Sequence, residues 1–262
     1  MSVSDRMQNE FRPQWLRPLW VCAWGVHLYT AMGLVMAGLI TWLLVGDRPD
    51  RFVLAFVLML VATLIDATDG FLARGVRVKE VLPGFDGRRL DDITDFLNYV
   101  FLPLFLIYQS GLLPRGWEPW LLLPLVAAAY GFCQVSAKTD DGFFLGFPSY
   151  WNLIAFYLYA LNPPHWVSLA AVIVFSLLTF VPMRYLYPTQ PGRLNQVSLA
   201  LGAVWGVLLM LILWGARKEP FDGEKTHRLT SWSLFYPLYY LLASWVVSAR
   251  YWLSMRKQSP PR

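Results

Sequence analysis

The chain has 262 residues, of which 56% are hydrophobic and only 15% charged, with 13 tryptophans, more apolar surface than a soluble domain of this size buries. Its net charge of +5 excludes a nucleic-acid binder, because the basic residues are scattered between apolar stretches and never interleave with aromatic residues on one surface. Cys22 and Cys133 lie in separate apolar segments without metal spacing, so both read as buried thiols and imply no disulfide framework.

Residues 1–19 carry charges of both signs beside aromatic residues. They fit an interfacial helix or a cytoplasmic tail, and not the short cationic lead of a cleaved signal peptide. Beyond them, apolar stretches approaching the roughly 20 residues needed to cross a bilayer predict an all-α polytopic integral membrane protein with about eight transmembrane helices. These run over Val21–Val45, Phe52–Arg74, Asp91–Leu113, Trp117–Ala137, Phe147–Leu161, Trp166–Leu186, Leu194–Ala216 and Leu229–Leu253, the fifth being short. No repeat or linker divides them, so residues 1–262 read as a single membrane domain. Eight crossings put both termini on one side. Most of the 22 Lys and Arg, among them Arg74, Arg88, Arg89, Lys138, Arg184, Arg193 and Arg250, fall inside if that side is the cytoplasm.

Chemistry concentrates where the second and third spans meet the cytoplasmic edge, in DATDGFLARGVRVKEVLPGFDGRRLDDITD, Asp66 to Asp95. At about 100° per residue, Asp66, Asp69, Gly70, Ala73 and Arg74 share one helical face, and Gly87, Asp91 and Asp95 share a face of the next helix. Each aspartate ionised near the centre of a membrane helix would cost roughly 2.5–3.5 kcal/mol. Four facing one another need a compensating cation or a shared function, and hard divalent ions that take oxygen ligands, Mn²⁺ or Mg²⁺, fit that need. Asp86 and Asp92 fall outside the spacing and read as a helix cap and partners for nearby arginines. Gly70, Ala73 and Gly87 either leave room for a ligand or let helices pack closely. His27, His165 and His227 are isolated and read as structural, and no P-loop or Rossmann glycine pattern occurs.

These eight positions, two Asp, Gly, Ala-Arg, then Gly and two further Asp, resemble the signature of the CDP-alcohol phosphatidyltransferases. The usual spacing between the Arg and the second Gly in that family is eight residues, whereas Gly75 to Asp86 supplies twelve. That longer loop, FDGRRLDDITDFLNY and GFPSYWN at Gly146 to Asn152 resemble the family's bacterial branch that makes phosphatidylcholine. The resemblance implies a bacterial inner-membrane enzyme, a homodimer, that transfers the phosphatidyl group of CDP-diacylglycerol to choline.

On that resemblance Asp66, Asp69 and Asp91 are the principal ligands of two metal ions, and Asp95 is the general base, within reach of a metal. Gly70, Ala73, Arg74 and Gly87 bind CDP-diacylglycerol, with Arg74 on a phosphate or the nucleotide. Lys138, Arg184 and Arg193, at the same edge, are candidates for the lipid phosphate. Choline, a quaternary ammonium, calls for aromatic faces, and Tyr150, Trp151, Tyr185 and Tyr187 are the candidate rings. A sibling activity using serine, inositol or glycerol 3-phosphate is the enzymatic rival. A secondary transporter is the non-enzymatic one, since intramembrane carboxylates also bind coupling ions.

Overall fold

A computed structural model of the chain describes residues 16–135, 139, 142–187, 193–218, 221 and 223–258. The N-terminal interfacial segment expected before Leu16, and Lys138, lie outside the described residues. Two long helices come first, α1 (Leu16–Val45) and α2 (Arg51–Val76), packed along each other. The turn between them is closed by Arg48, whose Nε donates to Asp50 Oδ1 at 3.0 Å. That bond holds the exposed Asp50 carboxyl below its ordinary range.

At the other end of α2, Arg77 adopts a left-handed conformation (φ 55°), and its backbone N–H closes on the carbonyls of Ala73 and Arg74. The twelve-residue connection that follows is folded. A single turn, α3 (Val78–Val81), buries Val78, Val81 and Leu82 against Ala23 and Val26 of α1. Asp86 then caps α4 (Gly87–Asp95) by accepting the backbone N–H of Arg89 at 3.2 Å, and pairs with the same residue's side chain. Asp86 therefore has the capping role its spacing implied.

The third predicted span is a helix of changing pitch. After α4 the backbone widens into a π-helical segment over Phe96–Phe101 and returns to regular winding in α5 (Leu102–Gln109). A 3-10 turn over Glu118–Leu121 leads into α6 (Leu122–Cys133), followed by α7 (Trp151–Leu161) and α8 (His165–Phe180). The sixth span was expected to be helical to Leu186, but it stops at Phe180. Arg184–Leu186 is instead a short strand, β2, antiparallel to β1 (Phe143–Leu145) with Phe144 opposite Tyr185. Gly146 makes this possible: at φ 82° its Cα lies against the Thr179 carbonyl with no room for a side chain. Among the described residues the fold is thus predominantly helical with one two-stranded ribbon.

The chain continues into α9 (Arg193–Ala216), α10 (Glu224–Ser233) and α11 (Phe235–Gln258). The eighth predicted span straddles the break at Leu234, ahead of Pro237. α11 packs on the open edge of β2, where the backbone N–H groups of Arg184 and Leu186 donate to Ser248 and Ser244. The Tyr240 hydroxyl donates back to the Leu186 carbonyl at 2.9 Å. A shared core of Ile40, Phe56, Leu106, Trp151, Tyr185 and Ile212 ties these elements together.

Three helices among the described residues are long and apolar enough to cross a membrane: α1 from Pro18, α2 and α9. α7 and α8, at 11 and 16 residues, rise only about 17 and 24 Å, short of a hydrocarbon core about 30 Å thick. Eight separate full-length spans are therefore not what the structure displays. The exterior is nonetheless that of a membrane protein: Leu28, Trp42, Phe71 and Trp232 are each two-thirds or more exposed, a surface suited to lipid and costly in water. The same fact corrects the cysteines, which are free as expected but exposed, not buried.

Candidate active site

α2 and α4 bring the four aspartates of the motif to one cleft, and α1 supplies a third wall. One carboxylate oxygen from each of Asp66, Asp91 and Asp95 lies within 4.8 Å of the others. Asp69 lines the same cleft but is engaged separately: it is buried, and Thr30 of α1 donates to its Oδ2 at 2.7 Å. The tight acidic group thus includes Asp95, the expected base, while Asp69, an expected principal ligand, stands beside it. Tyr99 donates its hydroxyl to Asp66 Oδ2 at 2.7 Å.

The cleft between these side chains encloses about 10 Å³, room for one water- or ion-sized occupant. Asn98 Nδ2 donates to the backbone carbonyls of Gly33 and Thr94 at 3.0 and 2.9 Å. Its Oδ1 is buried without a hydrogen-bond partner among the described residues. Three carboxylates converging in one cleft, on which Asn98 also borders, offer oxygen donors, which fits a hard divalent cation. Like charges so close, away from bulk water, also repel unless a cation compensates them.

The small residues of the motif meet protein side chains. The place a Cβ would take at Gly70 is 3.4 Å from Nη1 of Arg74, so the exposed Arg74 guanidinium lies back along its own helix over Gly70. Ala73 packs into the cluster formed by Ala23, Val26 and Val78. Gly87 abuts His27, where a Cβ would come within 2.5 Å of the ring's Cε1. That ring is buried and packs tilted against Phe85, with ring centres 4.3 Å apart. Gly87 therefore lets α4 approach α1 closely. Gly87→Ala is expected to destabilise the fold by about 1–3 kcal/mol, the usual cost of overpacking. Most of that should be recovered in Gly87→Ala/His27→Ala, as read by thermal unfolding in detergent. An unchanged melting point in the single variant would refute the contact.

The other candidates are spread more widely. Trp151 and Tyr185 are fully buried, each against Phe147, leaving no free ring face for a ligand. Tyr150 and Tyr187 keep partial exposure and contact Tyr240 and Phe144. The Arg184 guanidinium lies 3.5 Å from the centre of the Tyr251 ring. Arg193, exposed, opens α9. Thr30, Asn98 and Tyr99 were missed by the sequence reading. Asn98 and Tyr99 stand three and four residues after Asp95 and could have been found by extending the wheel one turn, whereas nothing local marks Thr30.

No protein-family model matches the chain. Among curated proteins it is 41% identical over 215 residues to a phosphatidylcholine synthase of Pseudomonas aeruginosa, covering 77% of this chain and 89% of that one. A Legionella pneumophila phosphatidylcholine synthase is 40% identical over 72% of this chain and 73% of its own. One from Bradyrhizobium diazoefficiens is 39% identical over 80% and 77%. These likenesses extend far beyond the thirty residues that carry the acidic motif, and they agree with the CDP-alcohol phosphatidyltransferase signature within it. The chain belongs to the phosphatidylcholine synthase family.

Proposed function

We propose that the protein transfers the phosphatidyl group of CDP-diacylglycerol to choline, releasing phosphatidylcholine and CMP. The observation that carries the reading is the convergence of Asp66, Asp91 and Asp95 on one small cleft in a chain of this family. Asp66, Asp69, Asp91 and Asp95 would hold the divalent ions, Mn²⁺ or Mg²⁺. Bound there, such ions would supply positive charge for the diphosphate oxygens and the leaving nucleotide phosphate.

The protein's own groups do the rest. Tyr99 and Thr30 fix the orientation of Asp66 and Asp69 through their hydrogen bonds. Asp95 accepts the proton of the choline hydroxyl as its oxygen bonds to the phosphatidyl phosphorus and the bond from phosphorus to the CMP oxygen breaks. The cleft is too small for a nucleotide, so CDP lies along the outer face of α2, with Gly70 beneath the Arg74 guanidinium that grips a phosphate. Arg193 and, outside the described residues, Lys138 serve the lipid phosphate. Arg184 is the weaker candidate because a tyrosine ring already occupies it. Tyr150 and Tyr187, the accessible pair of the four rings, offer aromatic faces to the quaternary ammonium. The enzyme is a homodimer in the bacterial inner membrane. Its broken and short helices complete eight crossings, and its termini and active site face the cytoplasm.

The test is CMP release by purified protein given CDP-diacylglycerol, divalent metal and one of choline, serine, inositol or glycerol 3-phosphate. Release with choline alone, abolished by chelator, is expected. Release with another alcohol would discard the acceptor, and no release with any would return the transporter reading.

A further inference from the structure

A second feature lies apart from the acidic cleft. α9 and α11 run antiparallel: Ser198 and Tyr239 share a hydrogen bond of 2.9 Å, and farther along α9 Trp205 stacks on Tyr236 at 5.0 Å. Between the two helices an open groove of about 590 Å³ is lined by Leu194, Leu238, Leu242, Val246, Val247 and, at its end, Arg250. Its α11 wall extends from Phe235 to Arg250, about 22 Å at 1.5 Å per residue. That is roughly the depth of one leaflet including its headgroup region.

Charge is placed as asymmetrically as the apolar wall. Neither α9 nor α11 contains an acidic residue, and the cations gather at one end. Arg250 is exposed in the groove mouth. Arg193 precedes the lining Leu194 at the end of α9 that approaches it. Arg184 lies against the ring of Tyr251, the next residue after Arg250.

We infer that this groove binds a single membrane lipid with an anionic phosphate headgroup, its acyl chain along Leu238, Leu242 and Val246 and its phosphate on Arg250. The apolar trough supplies non-directional burial, and a guanidinium at leaflet depth supplies a charge-assisted contact. A second copy fits the same surface less well, because a two-fold contact across α11 brings two unbalanced cationic ends together. The inference is independent of the acceptor alcohol and of any metal at the aspartates.

It is tested with the full chain in neutral maltoside micelles, titrated with dioleoylphosphatidylglycerol and followed by native mass spectrometry of the lipid-bound species. Wild type is expected to retain one lipid through a step that Arg250→Gln weakens about fivefold or more, the worth of one cation near a lipid surface. Ala243 also lines the groove, and Ala243→Trp, which fills the trough without changing charge, is expected to weaken it similarly. Thermal unfolding provides a second readout: the lipid should raise the melting temperature of wild type and leave that of Arg250→Gln unmoved. Binding by both variants equal to wild type overturns the site. So does a dimer that Ala243→Trp converts to monomer with lipid binding unchanged, which would make the groove a protein interface.

Discussion

Asp95→Asn is expected to lower CMP release from CDP-diacylglycerol and choline by roughly 10²- to 10⁴-fold, the span attributable to a positioned general base. The structure sharpens how this must be measured, because a carboxylate oxygen of Asp95 lies within 4.8 Å of those of Asp66 and Asp91, so the substitution also removes a neighbouring negative charge. The two contributions separate with metal concentration. If Asp95 takes the choline proton, saturating Mn²⁺ leaves the variant slow, and CDP-diacylglycerol binding stays within about threefold of wild type, too small a change to account for the rate. Turnover restored to wild type by excess Mn²⁺ would show that Asp95 serves only to hold the ion.

Asp66→Asn should fail differently. With a ligand lost outright, Mn²⁺ affinity, read by electron paramagnetic resonance of free Mn²⁺, should fall by at least the roughly 10- to 100-fold that an outer partner alone costs. Metal-dependent CDP-diacylglycerol binding should fall with it. Tyr99→Phe removes only the hydroxyl that bonds Asp66 and should lie between wild type and Asp66→Asn on the same titration. If Asp66→Asn binds Mn²⁺ like wild type while Asp91→Asn does not, the ion is held without Asp66, and the arrangement around Tyr99 has another purpose.

How far the sequence reveals this site depends on which helix a residue sits on. The four aspartates were legible because their spacing places them on two neighbouring faces and because charge inside apolar spans is costly enough to demand a reason. What was not legible was the third wall. Thr30 and His27 lie in an apolar helix with no polar periodicity of its own, and they meet Asp69 and Gly87 across sequence separations of 39 and 60 residues. Without α1, the small residues Ala73 and Gly87 read as space for a nucleotide. With it, they are the positions where helices touch. The membrane pattern misled near Arg184 for another reason: Trp166–Leu186 is apolar enough on average to read as one span, although Pro182 and Arg184 interrupt it where helix gives way to strand. That change is set by the left-handed Gly146 lying against the end of α8.

The π-helical turn after Asp95 gives the chain a local tolerance to changes of length. In that stretch each residue advances by roughly 80°, less than the ~100° of regular winding. Tyr99, four residues on, thereby falls about 40° short of the Asp95 meridian and not about 40° past it, and from there it reaches across to Asp66. Six residues at about 80° turn roughly as far as five at about 100°, so losing one residue from Phe96–Phe101 with a return to regular winding would leave the phase of α5 within about 20°. Leu104 and Ile107 would keep their buried faces inward, and the change would fall on the contact of Tyr99 with Asp66. The connection from Gly75 to Asp86 takes up its length in a one-turn helix packed on α1. A change of length by one residue is thus met locally on both sides of the carboxylates, by a folded loop before Asp91 and by a change of winding after Asp95.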